Sequence, residues 1–372
     1  EKEVLRRWIN EVLTTGQQVT AREVKAAIRN GTITLLHKEG DTTELTSDWR
    51  PVILLNTVSQ LVDHVLEARL RRIAEESNIL EPGQTGYRFG RSTDINMRKI
   101  QHLTDAAKKA GIQIFRCDVD FRNAFNSMSQ AALWAVLRRL NIPDVDLLEN
   151  LYRHTTVRLA PNDAEAATIT FQTGVAQGSV LSPLLFILFV NTLARLLTAV
   201  GQENNIDHGI DKLPGLNNVF FCDDLSLWAK SKTGMQTLLE VLADFEEWSG
   251  IRLNLKKTVG AAVGESKATK QTKSGLQYQG KPIRMAADTD PIRYLGFWAT
   301  ANGDYQEAKD RVMQRTREAV ELIRHHPFTP EMATDIFQAK GVGLFLYSAP
   351  FVDWTEEELE ELLRMWSQGY KL

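Results

Sequence analysis

The chain has 372 residues, 43% of them hydrophobic and 24% charged, a composition that excludes a disordered or fibrous protein. That length suffices for two or three domain-sized units with a large buried core. A formal net charge of -3 and a pI of about 6.2 exclude a surface that is basic overall, so any phosphate-binding face must be local.

The first thirty residues read as two helices, the second opened by a capping box, Thr20 with Glu23, and closed near Gly31. A strand over Thr32–Leu36 ends in the polar loop His37–Asp41, and Pro51–Asn56 is extended. Val58–Glu75 has helical apolar spacing at Val58, Leu61, Val62, Val65, Leu66 and Leu70. After the Pro82-Gly83 turn comes a loop rich in glycine and arginine, Gln84–Thr93, whose Ser92 or Thr93 can cap the next helix. Ile112–Val119 reads as a strand delivering Asp120, Ser129–Leu140 as a helix, and Pro143 as the start of another.

In the second half, 168–173 is a predicted strand and Gly174–Ser182 a loop. Pro183 begins a long apolar helix with Ser182 as its cap and Gly201 as its stop. Its most apolar stretch, Leu184–Val200, is short for a membrane span and carries Asn191 and Arg195, so it reads as a core helix and no membrane partner is expected. Strand Val219–Cys222 enters an aspartate pair and Leu225–Ala229 leaves it with period-two alternation. Met235–Trp248 is helical, 264–290 is polar and weakly ordered, Ile292–Phe297 is a strand, and the chain is helical from 303 onward. Strands alternating with covering helices predict an α+β fold with helices on one face of the sheet. Cys117 and Cys222 read as small buried hydrophobes rather than disulfide partners or metal ligands.

The chemistry concentrates in Phe221-Cys222-Asp223-Asp224, at the tip of that hairpin, and in Asp120 on another apolar strand. Aspartates crowded among apolar neighbours repel one another and lose hydration unless a cation lies between them. Asp-Asp pairs also occur in ordinary surface turns, but such turns do not need apolar strands on both sides. Two Mg2+ ions about 4 Å apart would suit phosphoryl transfer, each completed by one or two carboxylates and substrate phosphates. By themselves these residues point to a metal site and to nothing more specific.

An ordered set of segments carries the chain further. These are Asp48–Asn56, Gln84–Thr93, Asp118–Asn126, Ala176–Phe186, Phe221–Asp224, Asn254–Thr258 and Tyr294–Gly296. Together they resemble the reverse transcriptases of non-LTR retrotransposons. The resemblance implies a right-hand polymerase: an N-terminal helical extension (1–30), fingers (31–114 and 156–178), an antiparallel-sheet palm (115–155 and 179–298) and a helical thumb (299–372). It selects Asp120 over Asp118 as the first metal-binding aspartate, because the bulky aromatic, Phe125, follows five residues later. Asp120, Asp223, Asp224 and Lys257 are then the expected catalytic residues, with Phe121 also placed at the metal site. Two Mg2+ ions are the expected cofactor, with Mn2+ as a substitute. The family's usual aspartate after the aromatic is Asn126 here, and Cys222 replaces a smaller residue; neither removes a metal ligand.

The same resemblance places Lys38, Arg50, Phe125, Gln177 and Gly178 around the incoming nucleotide. Arg50 can grip phosphate in bidentate fashion, and a ring at Phe125 would leave no room for a 2′-hydroxyl. Lys257, with Lys256 beside it, matches the proton donor to departing pyrophosphate. Arg88, Arg91 and Ser179 are expected at the template or primer, and Tyr294, Leu295 and Gly296 at the primer grip. The expected basic face of the thumb is Lys309, Arg311, Arg315, Arg317, Arg324, His325 and His326, with the acidic stretch Thr355–Glu361 kept away from nucleic acid. The implied partners are an RNA template, a DNA or RNA primer and deoxynucleoside triphosphates. The chain opens on Glu1 and closes on Tyr370-Lys371-Leu372, so a portion of a longer polyprotein is expected. The rival function is a domesticated protein that binds RNA or adds nucleotides without a template, but all three carboxylates are retained.

Overall fold

The computed structural model describes residues 30–37, 49–159, 167–170, 172–210, 213, 215–264 and 275–370, with isolated positions 3, 6 and 10. The N-terminal helices, their Thr20–Glu23 capping box and Lys38 lie outside the described residues. Strands β1 (Asn30–His37) and β2 (Trp49–Leu55) come first, then helices α1 (Thr57–Glu76) and α2 (Thr93–Ala110). Next are β3 (Ile114–Val119), the short β4 (Phe121–Arg122), one helical turn α3 (Ala124–Ser127), and helices α4 (Gln130–Arg139) and α5 (Val145–Arg153). Strands β5 (Thr156–Leu159) and β6 (Ala167–Thr170) precede the apolar helix α6 (Ser182–Asn204). A hairpin of β7 (Asn218–Phe221) and β8 (Asp224–Ala229) leads to α7 (Lys232–Ser249). Then come β9 (Arg252–Leu253), β10 (Val259–Val263), three two-residue strands, β11 (Gln277–Tyr278), β12 (Lys281–Pro282) and β13 (Arg284–Met285), and the hairpin β14 (Ile292–Tyr294) and β15 (Phe297–Ala299). Helices α8 (Gln306–His325), α9 (Pro330–Phe337), α10 (Gly343–Ser348) and α11 (Glu356–Tyr370) close the chain, with a π-helical turn, Gln338–Val342, between α9 and α10.

Two sheets organise the molecule. The smaller has the order β2-β1-β5-β6, and the central one β13-β10-β3-β8-β7. The central sheet is antiparallel apart from the β10–β13 pair at its edge. Alternation along its strands divides the core. Phe115, Cys117, Val119, Phe220, Leu225 and Leu227 pack with α6 and α7. Ile114, Val219, Trp228, Val259 and Ala261 pack with Met97, Ile100 and Leu103 of α2 and with Tyr294 and Phe297. Helices therefore cover both faces, not one as expected, because both parities of these strands are apolar. The two cysteines are free and buried among apolar side chains, as the sequence suggested, and that burial pushes both thiols up.

The apolar helix is a core helix, with Leu184–Val190 buried without a break. It is nonetheless longer than expected. Gly201 does not stop it; the helix passes Gly201 and ends at Asn205, which takes the left-handed conformation at φ 53°. A side chain at Gly201 would collide with the Asn217 carboxamide, which accounts for the glycine. Ser182 does not cap the helix either: its hydroxyl donates to the Ala176 carbonyl, 2.8 Å away. Ser92 makes no cap hydrogen bond to α2, and α5 starts two residues beyond Pro143. Part of the polar stretch 264–290 is ordered after all. β13 pairs with β10, and β11 pairs with β12, in runs too short to show periodicity.

The C-terminal helices carry the expected cations, but not as an open basic face. Arg311 pairs with Glu307, Arg315 with Glu318, and Arg324 and His325 with Glu321, all one helical turn apart. Lys309 and Arg317 reach across to Glu358 and Glu361 of the acidic α11.

Candidate active site

The central sheet carries the three candidate carboxylates to one end. β3 and β8 pair with Val119 opposite Leu225 and Asp118 opposite Ser226. One further step in that register sets Asp120 across from Asp224. β7 and β8 close through the two-residue turn Cys222-Asp223, with Phe221 opposite Asp224. Cys222 occupies the left-handed region at φ 58°, a conformation unfavourable for a residue with a Cβ. The turn thus holds Asp223 beside the other two by means of a strained backbone.

Asp120 is fixed by the Asn254–Thr258 segment, which also carries Lys256 and Lys257. The Asn254 amide donates to the Asp120 carbonyl at 2.7 Å, and its side-chain amide donates to the Asp120 carboxylate at 2.9 Å. The Asp120 amide in turn donates to the Thr258 hydroxyl at 3.3 Å. Phe121 pairs with Leu253 and its ring is buried, so only its main-chain oxygen could serve an ion. Asp118, the alternative first aspartate, is already engaged in an ion pair with Arg116. It accepts from Arg116 at 2.9 Å and Ser226 at 2.7 Å, and Arg116 lies 5.5 Å from the rings of both Trp228 and Tyr294.

The carboxylates strain one another electrostatically. Desolvation raises the Asp223 pKa and the Asp120 charge raises it further, with Arg50 opposing. The side chain of Asp224 reaches solvent, yet the depth of its surroundings, then Asp223, Asp120 and Asp118, push its pKa up to about 7. Among the described residues no three His, Cys, Asp or Glu side chains enclose an ion by themselves. The donor chemistry fits a hard divalent cation all the same: the ligands are oxygens only, Arg50 and Arg293 offset their mutual repulsion only in part, and the cleft leaves room for water and substrate to complete a shell. Without metal, the preference of the folded chain for protonated Asp224 stabilises it fully below the ordinary 3.8, and this contribution is lost as pH rises through about 7. In EDTA the melting temperature is therefore expected to fall by a few degrees between about pH 5 and about pH 8, and Asp224→Asn to flatten that fall. An unaltered slope in the variant would contradict this electrostatic account.

A cleft of about 510 Å³ opens beside the carboxylates, lined by Asp118, Asp120, Asp224, Lys256, Lys257 and the Tyr294–Gly296 turn, with Arg284, Arg293 and Trp298 at its rim. Both lysines are exposed. Leu295 and Gly296 both have positive φ, at 51° and 79°, which closes the β14–β15 hairpin in two residues. Tyr347 donates to the Leu295 carbonyl at 2.6 Å, tying this turn to α10. Arg284 and Arg293 were not among the expected residues; each sits in a strand too short for its facing to be read.

On the side of Asp223, Arg50 is exposed on β2. Phe125 stacks on Phe186 with centroids 4.4 Å apart and planes 11° from parallel. Its backbone is held by Val175, whose amide donates to the Phe125 carbonyl at 2.8 Å. Gly174 lies against the same carbonyl at φ 69°, leaving no space for a Cβ. The Gln177 carbonyl accepts from Ile53 at 2.6 Å, and Gly178 packs directly on the Ile53 carbonyl at φ 123°. Gln177 and Gly178 thus pack on β2, the strand that carries Arg50, and Phe125 packs on the core helix α6.

Two expected nucleic-acid contacts are corrected. Arg88 is buried; it forms a bidentate pair with Glu75 at 2.9 and 2.6 Å and donates to the carbonyls of Glu81 and Gln84. The glycine- and arginine-rich loop gives no sign of this pair, because the partner lies thirteen residues back on α1. Ser179 is also turned inward, donating to Asp63 at 2.5 Å. Arg91 does remain exposed, as does Phe89 at 90%.

Residues 36–299, more than half of the chain, match the family described as reverse transcriptase (RNA-dependent DNA polymerase). The Retrovirus-related Pol polyprotein from type-1 retrotransposable element R2 of Popillia japonica is 28% identical over 84% of this chain and 43% of its own length. The polyprotein from the type-2 element R2DM of Drosophila melanogaster is 28% identical over 69% of this chain and 24% of its own. The chain therefore spans less than half of either relative. Apo telomerase from Candida tropicalis superposes with a TM-score of 0.53 at 10% identity, covering 97% of this chain and 65% of that one. That likeness bears on the fold alone.

Proposed function

This chain belongs to the reverse transcriptase (RNA-dependent DNA polymerase) family, and from that premise we propose that it extends a primer 3′-hydroxyl on an RNA template, using deoxynucleoside triphosphates. One observation carries the proposal: Asp120, Asp223 and Asp224 converge at one end of the central sheet, with Lys257 and the Tyr294–Gly296 turn along the adjoining cleft. Family members work with divalent ions, and Mg2+, replaceable by Mn2+, is the ion proposed here, held by the three carboxylates. When bound, such ions favour ionisation of the attacking hydroxyl and neutralise charge on the leaving oxygen. The residues of the chain would do the rest. Asn254 keeps Asp120 aimed, Arg50 grips the triphosphate, and Phe125 supports the sugar. The primer 3′-oxygen then bonds to the α-phosphate as pyrophosphate departs, and Lys257 supplies a proton to it.

The pairing of the sheets supports the division proposed here. Residues 31–114 and 156–178 form the fingers, supported by the pairing of β1 with β5 across that gap in sequence. Residues 115–155 and 179–298 form the palm around the central sheet, and 299–372 the thumb. Primer and template would run past Tyr294–Gly296 and Arg91, with Lys256, Arg284 and Arg293 as local cations. The curated relatives are longer than this chain, and further domains of a polyprotein are accordingly proposed partners.

Primer extension tests the reading. The wild-type chain, given a primer on an RNA template, is expected to add the deoxynucleotides that the template specifies and to add nothing when the template is omitted. Untemplated addition at an equal rate would instead favour the transferase alternative.

A further inference from the structure

A carboxamide buried behind the aspartate turn bears on how that turn keeps its shape. Gln84 is 1% exposed. Its side-chain oxygen accepts from the Cys222 amide at 2.9 Å, while its side-chain nitrogen donates to the Cys222 carbonyl at 3.3 Å. The same oxygen accepts from the Gly86 amide at 2.9 Å. One side chain thereby satisfies both main-chain groups of the residue whose φ of 58° precedes Asp223. Cys222 lies in the hairpin loop, where the β7–β8 ladder does not reach it, so Gln84 acts as a substitute strand for that one residue.

The surroundings make this support rigid. Segment 83–85 brackets Phe220, whose amide donates to the Gly83 carbonyl at 3.0 Å and whose carbonyl accepts from Thr85 at 2.9 Å. Asn96 of α2 donates to the same Phe220 carbonyl at 2.9 Å. Arg88, anchored on Glu75, holds the Gln84 carbonyl at 3.2 Å. Gly86 completes the contact, since a Cβ there would run into the Cys222 backbone nitrogen.

We infer that Gln84 is a positioning residue for nucleotide addition, setting Asp223 relative to Asp120 through the Cys222 main chain without touching substrate. The inference deepens the polymerase reading and rests on it. Gln84→Met has nearly the same length and lacks both hydrogen bonds. In the full chain it is expected to lower kcat for single-nucleotide addition by about 10- to 100-fold, with the KM for the deoxynucleotide held within about threefold. Mn2+ binding to the protein alone, followed by electron paramagnetic resonance, is expected to weaken by about tenfold, because the carboxylates no longer converge. Gly86→Ala strains the same contact from the other side and should produce the same two shifts, which decides the matter if Gln84→Met does not fold. A role confined to folding would cut activity only in proportion to the folded fraction seen by circular dichroism and would leave Mn2+ affinity unchanged; that result overturns the inference. So does a variant with wild-type kcat and Mn2+ affinity. If the wild-type chain itself extends no primer, the polymerase reading falls, and the Mn2+ titration still decides whether Gln84 sets the carboxylates.

Discussion

Asp223→Asn is expected to reduce templated nucleotide addition by roughly 10³-fold or more, and to leave the metal-free chain at least as stable as before. Both halves come from one environment. Desolvation and the Asp120 charge hold the Asp223 carboxyl above its usual range, so the folded chain bears an unfavourable interaction there at neutral pH. Asparagine keeps the shape of the side chain and removes the charge, which relieves its repulsion with Asp120. In the catalytic complex the loss runs the other way. An anionic ligand is worth several kcal/mol of transition-state stabilisation, and roughly 4 kcal/mol corresponds to about a thousandfold in rate. Single-turnover addition on a primed RNA template, run beside thermal melting in EDTA, measures the two effects independently. A variant that keeps more than about a tenth of the rate would remove Asp223 from the chemistry; one that melts clearly lower would refute the electrostatic account.

Phe125→Val should open the site to ribonucleotides, raising the ratio of ribonucleotide to deoxynucleotide kcat/KM by about 100-fold. In the proposed reaction the ring acts as a wall beneath the sugar. It is stacked on buried Phe186 at 4.4 Å, and its main chain is locked between Val175 and Gly174, so it cannot swing aside for an extra hydroxyl. Valine preserves an apolar surface but withdraws the ring, and that vacates the volume a 2′-hydroxyl needs. An apolar contact rejects a single added hydroxyl by about that factor when shape alone decides. Incorporation of each nucleotide type, measured separately on the same primer, checks the ratio. An unchanged sugar preference would show that Phe125 is only a core residue.

Where an element was long and its pattern regular, the sequence was a sound guide. The aspartate hairpin was legible because apolar strands flank a short polar tip, and its register then brought Asp120 opposite. The core helix was legible from unbroken hydrophobicity, but not its end, because Gly201 serves a close approach to Asn217 rather than a stop. Charge was the least legible property. Arg88 looked like a surface cation in a glycine-rich loop, yet Glu75 draws it inside. The cations of α8 formed a basic cluster on paper, whereas Glu307, Glu318, Glu321 and α11 neutralise them in space. Asn254 escaped notice as a support because its partner, Asp120, is separated from it by 134 positions. The strands from Gln277 to Met285 were missed because two residues cannot display a period.

The dispersal of the three acids over β3 and the β7–β8 hairpin has a consequence during synthesis of the chain. Asp120 emerges from the ribosome long before its companions, and it gains them only when β8 docks alongside β3. Until then a nascent copy presents Asp120 without the two carboxylates that it meets at the end of the central sheet. The cluster is complete only when two distant pairings have formed, β3 with β8 and Asp120 with Asn254.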